Sequence, residues 1–467
     1  MNDIKEIYSL LSNLNPENKA LIQKAYDFAY KAHEGHTRKS GEPYFNHLFG
    51  TAKNIASLGM DTPTIIAGFL HDSIEDMGVS PEIIEKEFGK EVLFLVEGVT
   101  KLGKIKYRGT NRYNESLRKL FVAMSQDIRV LIIKLCDRLH NMQTLSHVPK
   151  EKQLRIAKET LEIFAPLAYR LGIKTLQREL EDLAFSYVYP NEFEEIKKIL
   201  KKKKEEVEEH LNNFEKSLKK ELAKNGITDF KMDHRVKSLY SLYKKLEKYK
   251  WDVESIYDIS ALRVTVKEVS DCYRILGIVH GTWRPLPGRI KDYIASPKLN
   301  GYRSIHTTIF TGDGGIIEVQ IRTEEMHLEA EYGVASHLSY KEGKKTTNWI
   351  QDLVDFQKEA GEDFLEHAKK DFFEERIFVF TPIGDVIDLP KDSSVIDFAY
   401  NIHTDIGNHM VGAKVNGKFT SITTKLQSGD RVEVETKKNA KPNKKWLESC
   451  KTTMAKRRIN NYLENNK

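Results

Sequence analysis

The sequence predicts three folds in series: an all-α domain, then an α/β domain, then a small α+β unit. Three observations carry this. Up to residue 190 apolar residues recur at three- and four-residue spacing with scarcely any strand-like alternation. Between Ser260 and Ile321 three stretches alternate with period two and are separated by helical segments. From Arg376 the chain reads as short strands, a tight turn and one helix. At 467 residues it is too long for one core, and about three domains is the length expectation.

In the first domain the helical face repeats in Leu21-Ile22, Ala25-Tyr26 and Ala29, and again in Ile156, Leu161, Phe164 and Leu167-Ala168. Asn15-Pro16-Glu17 is a helix start with Asn15 as cap and Pro16 at the first position, and Thr62-Pro63 and Ser80-Pro81-Glu82 repeat the signal. Phe193, Ile196, Leu200, Val207, Leu211, Phe214, Leu218 and Leu222 form one stripe, so residues 191–225 read as a single long helix stopped by Asn225-Gly226. The lysines Lys201 to Lys204 read as its solvated face. Ser260 to Val266, Ile305 to Phe310 and Ile317 to Ile321 are strands, with a helix over Val269 to Val279. Alternation sends Ile317, Val319 and Ile321 to one face of the last strand and Glu318, Gln320 and Arg322 to the other. Residues 346–375 read as a charged connecting helix. Ile377 to Phe380 and Val386 to Pro390 are strands around a Gly384-Asp385 turn. A helix through Val395 to Ile406 follows, then a hairpin with Asn416-Gly417 at its tip, and Val432 to Val434 closes the unit. The basic tail from Lys441 begins a helix that the chain scarcely completes.

Composition excludes several classes. Forty per cent hydrophobic and 30% charged residues describe a folded globular protein, not a disordered one. Apolar runs such as Ile65 to Leu70 fall far short of the ~20 residues of a membrane span, so no membrane partner is expected. The N-terminus lacks the layout of a secretory signal. Cys136, Cys272 and Cys450 lie far apart and form no C-x-x-C pair, which points to a reducing cytoplasm and against a disulfide framework or zinc knuckle. A net charge of +6 says little about nucleic acid.

The densest chemistry lies in Leu70-His71-Asp72-Ser73-Ile74-Glu75-Asp76. On a helix through Leu70 to Met77, positions 71, 72, 75 and 76 share a face, and Asp137, Asn141 and Thr144 form a second stripe at i, i+4 and i+7. His47, His71, Asp72 and Asp137 mix nitrogen and oxygen donors, a set that suits a first-row divalent ion with open water positions. Such an ion makes hydroxide available near neutral pH, and Glu75 or Asp76 would orient that water or carry its proton. A lone His-Asp pair is more often helix decoration; here His47 and the Asp137 stripe reverse the balance.

His33, Arg38-Lys39-Ser40-Gly41-Glu42-Pro43-Tyr44, His47, His71-Asp72, Glu75-Asp76 and Asp137-Arg138-Leu139-His140-Asn141-Met142 resemble the hydrolase domain of the Rel/SpoT stringent-response family, within the HD phosphohydrolase superfamily. The resemblance implies a Mn²⁺ site that removes the 3′-pyrophosphate of ppGpp or pppGpp. It implies His47, His71, Asp72 and Asp137 as ligands and Glu75 and Asp76 as the water-handling acids. Arg38, Lys39 and Ser40 would grip the guanine nucleotide, with Asn141 and Thr144 near its ribose. Leu48 replaces the family's usual proline and Ser73-Ile74 its usual valine pair, and neither position is a ligand.

In the α/β domain, Arg235-Val236-Lys237-Ser238 opens a helix with two cations, Asp258 stands at the head of a strand, and Lys298-Leu299-Asn300-Gly301-Tyr302-Arg303-Ser304-Ile305-His306 joins a glycine turn to an aromatic, cations and a histidine. Two acids to hold Mg²⁺ and cations for phosphate charge are what phosphoryl-type transfer needs, because its catalysis is mostly positioning and electrostatics. Taken in order, with Arg322-Thr323, Met326-His327, Glu331-Tyr332-Gly333 and Ala335-Ser336-His337, these clusters resemble the nucleotidyltransferase-like synthetase domain of the same family. That similarity implies transfer of pyrophosphate from ATP to the 3′-OH of GDP or GTP, releasing AMP. It implies Asp258 as a Mg²⁺ ligand and Glu318 as a second acid that assists the metal or takes the 3′-OH proton. Tyr302 would stack on guanine, and Arg235, Lys237, Ser238, Lys298, His306 and Arg322 would line the nucleotide site. Strand parity does not set Asp258 opposite Glu318; that pairing rests on the resemblance. Arg289-Ile290-Lys291-Asp292 matches the version of this motif carried by bifunctional members, and Arg303 stands where glutamine is usual.

Phe380-Thr381-Pro382, Gly384, Leu389-Pro390, Asp397-Phe398-Ala399-Tyr400, Ile402-His403-Thr404 and Gly429-Asp430 resemble a TGS domain, a β-grasp module. The family implies contact with uncharged tRNA and the ribosome, with His403 a candidate tRNA contact. Long family members carry further helical, cysteine-containing and ACT-type or RNA-recognition-like regions after this point. The expected plan is therefore 1–190 hydrolase, 191–345 synthetase, 346–375 connecting helix, 376–437 TGS, and 438–467 basic tail. The expected activity is bifunctional, GTP/GDP pyrophosphokinase and guanosine-3′,5′-bis(diphosphate) 3′-diphosphatase. The alternatives are a hydrolase-dominant member with weak synthesis, or a tRNA- or ribosome-binding regulator. The helices between Ile163 and Leu222 join the two sites and are the expected coupling element.

Overall fold

Two buried helices organise the first domain of the computed structural model, which describes residues 3–11, 14–100, 126–298, 300–336, 371 and 376–465. In Thr62–Leu70 every residue from Thr64 onward is buried. In Ile128–Gln143 the buried set is Val130 to Ile133, Leu135 to Asp137, Leu139 and Met142. Against the first of these helices Tyr26 meets Phe45 (4.8 Å), Phe49 and Phe69 edge to face. The expected starts hold with one shift. Asn15 accepts from Asn18 N, but Asp61 rather than Thr62 caps the second, accepting from Thr64 N. The described residues up to Ser336 form one compact unit, apart from a short segment just before Arg129.

Within that unit the long helix is Pro190–Lys224, and its stripe serves two cores. Ile196 packs with Phe185, Leu242, Tyr243 and Leu246, whereas Leu211, Phe214, Leu218 and Leu222 pack on a five-stranded sheet. The chain stops at Gly226 (φ +73), where Ile227 N reaches back to Leu222 O. The sheet runs β1 (Lys231–Val236), β2 (Ser260–Val266), β5 (Ile316–Thr323), β4 (Ile305–Phe310), β3 (Lys291–Asp292), with β2 and β5 parallel and the other pairs antiparallel. Leu262, Val264, Val266, Ile317, Val319 and Ile321 point at the helices Pro190–Lys224 and Val269–Thr282. The opposite parity of β1, β2, β4 and β5 therefore lays Arg235, Arg263, His306, Glu318, Gln320 and Arg322 on one polar face. Arg235 and Val236 end β1, and the helix that follows starts only at Leu239. The expected helix start at Arg235 gives way because both residues pair with β2, as Arg235↔Ala261 and Val236↔Ser260.

A second unit contains Asp371 and residues 376–465. β6 (Arg376–Phe380) pairs with β7 (Val386–Pro390), and β8 (Met410–Val415) lies between β9 (Lys418–Thr420) and β10 (Val432–Thr436). Asn416 (φ +53) and Gly417 (φ +79) form the expected hairpin turn. The expected single helix breaks at His403 into Val395–Ile402 and Thr404–Asn408. The tail is more than the start of a helix: Thr453–Asn465 is helical, and its Ala455 and Ile459 join the core of Phe398, Tyr400 and Val432. Asp397 secures it by accepting from Lys451 N and Thr452 N. The expected connecting helix 346–375, like His337, lies outside the described residues except for Asp371. Among the described residues no helix is long and apolar enough to cross a membrane.

Candidate metal and nucleotide sites

His71 follows the helix Thr62–Leu70 as its C-cap, and residues 71–77 are a run of turns, not the expected helix. Asp and Ser compete for backbone partners and favour such turns. Asp72 and Asp76 stay on one side nonetheless, because Asp76 N donates to Asp72 O (2.8 Å) and the Tyr44 hydroxyl lies 2.8 Å from Oδ2 of each carboxylate. Glu75 and Asp76 are solvent-exposed.

His47, on the helix Phe45–Ser57, and Asp137, on Ile128–Gln143, complete the cluster. His71 Nε2 lies 3.1 Å from Asp72 Oδ2, and His47 Nε2 lies 3.2 Å from Asp137 Oδ1 and 3.7 Å from Asp72 Oδ2. His47, His71 and Asp137 offer ligand atoms all within 4.8 Å of one another. His71 Nδ1 donates to Gly68 O (2.8 Å), which turns Nε2 inward, where a metal ion would take the place of its proton. That buried Nε2, although close to Asp72, makes no well-oriented hydrogen bond. Burial opposes the His71 imidazolium, but Asp72 and Asp137 outweigh it and push its pKa up to about 9. Burial likewise opposes the Asp72 carboxylate, and His71 still holds it well below the usual range. Inward imidazole nitrogens beside two ionised carboxylates fit a divalent cation.

Three of the residues expected at the nucleotide, Arg38, Asn141 and Thr144, come together beside this cluster. Arg38 donates to Asn141 Oδ1 (2.5 Å) and Thr144 Oγ1 (3.0 Å), and Asn141 Nδ2 donates to Asp137 Oδ1 (2.6 Å). Lys39 is exposed, and the Ser40 hydroxyl lies near Glu42. Three contributors are not in the expected set. Lys134 Nζ lies 2.7 Å from Asp137 Oδ2. His140 Nδ1 lies 3.0 Å from His47 Nδ1, and burial, with His47 and Arg38 beside it, pulls its pKa down to about 3, so it is neutral. Tyr44 is the third. The signal for His140 was distant in sequence: Gly50 carries no side chain where a Cβ would stand 2.0 Å from the His140 ring.

The second site lies on the polar face of the sheet. Tyr302 OH is 2.7 Å from His306 Nε2, His306 Nδ1 is 2.7 Å from Glu318 Oε1, and Gln320 Nε2 donates to the same oxygen (2.9 Å). Burial would raise the Glu318 carboxyl, but His306 and Gln320 hold it at about 2. Asp258 sits two residues before β2, with Lys237 Nζ at 2.7 Å and Lys245 Nζ at 2.5 Å. Against burial these two lysines hold its carboxyl at about 2, while burial lowers Lys237 to about 8. Asp258 is close enough to Glu318 for its charge to oppose ionisation of Glu318. Two ionised carboxylates are hard oxygen donors of the kind a divalent cation takes. Lys298 Nζ stands 5.2 Å over Tyr302 and 4.7 Å over Tyr293. Two expected contacts are placed differently. The Ser238 hydroxyl turns to Ser241 (2.8 Å), and Arg322, 1% exposed, is held by His327 (2.8 Å) and Glu331 (3.3 Å). In the second unit His403 is exposed and caps Thr404–Asn408, its Nδ1 accepting from Asp405 N (3.2 Å).

Comparison with known proteins matches residues 25–174 to the HD domain, 234–345 to a region found in RelA / SpoT proteins, and 377–436 to the TGS domain. The chain is 44% identical, over 98% of its length and 67% of the relative's, to a guanosine-3′,5′-bis(diphosphate) 3′-pyrophosphohydrolase of Aquifex aeolicus. It is 42% identical, over 99% and 67%, to the bifunctional (p)ppGpp synthase/hydrolase SpoT of Escherichia coli. To a GTP pyrophosphokinase of Myxococcus xanthus it is 45% identical over 95% of this chain and 60% of that one. The chain thus spans about two thirds, or less, of the length of these relatives.

Proposed function

The chain belongs to the Rel/SpoT family, and from that membership we propose that it both makes and destroys guanosine 3′-pyrophosphates. The observation that supports this is that one compact unit contains two separate clusters of ionisable groups, the His47–His71–Asp72–Asp137 cluster and the Asp258–Glu318–His306–Tyr302 face.

In the hydrolase, His47, His71, Asp72 and Asp137 would hold Mn²⁺, which supplies a water ionised near neutral pH. Glu75 and Asp76, both exposed beside the cluster, would accept the proton of the attacking water and pass it to solvent. The arm of Arg38, Asn141 and Thr144 holds the nucleotide so that the 3′-pyrophosphate faces the cluster, and GDP or GTP leaves with pyrophosphate released. In the synthetase, Asp258 and Glu318 would hold Mg²⁺, which neutralises phosphate charge. Guanine stacks on Tyr302, and the 3′-OH attacks the β-phosphorus of ATP with AMP as leaving group. Lys237, Arg235 and Lys298 spread the charge of that transfer, which is what such a reaction demands of a protein. His306 fixes Glu318 between its two roles, metal support and acceptance of the 3′-OH proton. For the TGS domain we propose contact with uncharged tRNA and the ribosome through exposed His403, in a cytoplasmic protein.

The test is direct. Purified protein receives ATP and GDP with Mg²⁺, then ppGpp with Mn²⁺, and nucleotides are separated by anion-exchange chromatography. The expected result is ppGpp with equimolar AMP in the first and GDP with pyrophosphate in the second. Absence of AMP-linked ppGpp would leave the hydrolase-dominant alternative standing, and absence of both reactions would leave the regulator.

A further inference from the structure

Tyr302 is buried, 5% exposed, and part of what covers it comes from outside the sheet. Lys174 opens the helix Lys174–Val188, which leads from the hydrolase domain into the long helix, and its Nζ stands 4.4 Å over the Tyr302 ring centre. Tyr169, Gly172, Lys174, Lys298, Asn300 and Tyr302 share in lining a cavity of about 50 Å³.

Lys174 is half-buried, and among the described residues it pairs with no carboxylate. The nearby acids are already engaged. Glu331 is shared by Arg178, Arg263 (3.5 Å) and Arg322 (3.3 Å), and Glu329 is held by Arg303 (2.6 Å). Its other neighbours are cations. Burial of the ammonium first, then Arg235, Lys298 and Arg178, keep its pKa well below the ordinary lysine range. A desolvated ammonium among like charges is costly unless an anion completes the site. The ring face holds it meanwhile by a cation–π contact, which is weaker than a charge-assisted bond to phosphate.

We propose that Lys174 is part of the acceptor-nucleotide site, its ammonium binding a 5′-phosphate of the GDP or GTP whose guanine stacks on Tyr302. This rests on the reading of the second site as a pyrophosphate-transfer site. A base stacking on this ring takes area that ammonium groups now cover, so guanine displaces the Lys174 ammonium and the phosphate receives it. The acceptor site is then built jointly by the loop before β4, through Lys298 and Tyr302, and by a helix from outside the sheet.

Lys174→Met and Lys174→Arg test this in the full chain, with thermal melting as the fold check and fluorescent mant-GDP as the direct binding probe. Loss of one charge-assisted contact should raise KM for GDP and Kd for mant-GDP about ten-fold or more in Lys174→Met. KM for ATP should stay within about two-fold of wild type, since a contact to GDP alone leaves ATP binding intact. Lys174→Arg, if it keeps the charge, should recover most of the loss. Unchanged KM for GDP in a folded, synthesising Lys174→Met would overturn the proposal. So would an increase in KM for ATP instead, or faster synthesis at unchanged KM, which would make the lysine a mere cover on the ring. Failure of the wild type to make ppGpp is a different result: it removes the pyrophosphate-transfer reading itself, while mant-GDP binding still reports on Lys174.

Discussion

The two sites manage charge in opposite ways. In the first, the imidazoles of His47 and His71 and the carboxylates of Asp72 and Asp137 face one another within a few ångströms, and Lys134 adds a cation at 2.7 Å from Asp137. The cluster is a cage of mutual compensation, ready for one small cation. In the second, Asp258 and Glu318 are each matched by basic groups, and Lys174 and Lys298 are left facing aromatic rings instead of carboxylates. That surplus of positive charge is what polyphosphates need. A cation-binding cage and a polyanion-binding platform should therefore fail differently when single groups are removed.

The largest expected effect breaks the two apart. Asp72→Ala takes a carboxylate out of the cage, and hydrolysis should fall by more than ~100-fold, since even outer-shell partners of metal ligands are worth about 10–100-fold. Asp258→Ala should do the same to synthesis. Each variant should leave the other reaction within about two-fold of wild type, as additivity predicts for sites without shared partners. If either substitution abolished both reactions, the two sites would not be chemically separate.

Ion removal sharpens the contrast next. Stripping divalent ions with EDTA should abolish both reactions and also lower the melting temperature, because an ion that binds only the folded state stabilises it by mass action. Re-addition of Mn²⁺ alone should restore hydrolysis, and Mg²⁺ with nucleotides should restore synthesis. Recovery of hydrolysis with no added ion would contradict the cage reading.

How far these sites were legible depended on whether their geometry is local. The Asp137–Asn141–Thr144 stripe and the alternation around Glu318 were readable, because helix and strand periods fix which side chains share a face. The His71-Asp72 doublet was readable only as two adjacent donors, since the helix expected through it is a run of turns. The three-part architecture followed from the same periods. What escaped were groups brought in by tertiary packing. Lys245 reaches Asp258 and Lys174 reaches Tyr302 from separate helices, and neither carries a local signal. Local signals also lost where long-range pairing competed: Arg235 and Val236 joined β1 instead of a helix. His403 sits at a break between helices, and the tail helix packs against the core of its own unit.

A smaller effect probes support rather than ligation. His140 backs His47 at 3.0 Å, across the space that Gly50 leaves open. His140→Ala should lower hydrolysis by about 10–100-fold, as loss of an outer-shell partner does, with a rise in the Mn²⁺ concentration needed for half-maximal rate. Synthesis should not change. Gly50→Ala should reproduce the effect, because its Cβ would push the His140 ring away. Normal metal dependence in both variants would show that His47 needs no such backing.

The smallest expected effect concerns Tyr44, whose hydroxyl stands 2.8 Å from both Asp72 and Asp76. Burial, together with those two carboxylates, raises its pKa far above the ordinary phenol range, so it remains a hydrogen donor at any working pH. It thereby ties a proposed ligand to a proposed proton acceptor. Tyr44→Phe keeps the ring stacked on His33 and removes only that tie. Its loss should cost hydrolysis about three- to ten-fold in kcat, equivalent to the ~1 kcal/mol of one hydrogen bond, with synthesis unaffected. Among the described residues no comparable tie links Asp258 to a tyrosine in the cation-rich site, where lysines hold the carboxylate instead. If Tyr44→Phe slowed hydrolysis as much as Asp72→Ala, the tyrosine would belong among the reacting groups, and the cage would need a proton donor as well as a cation.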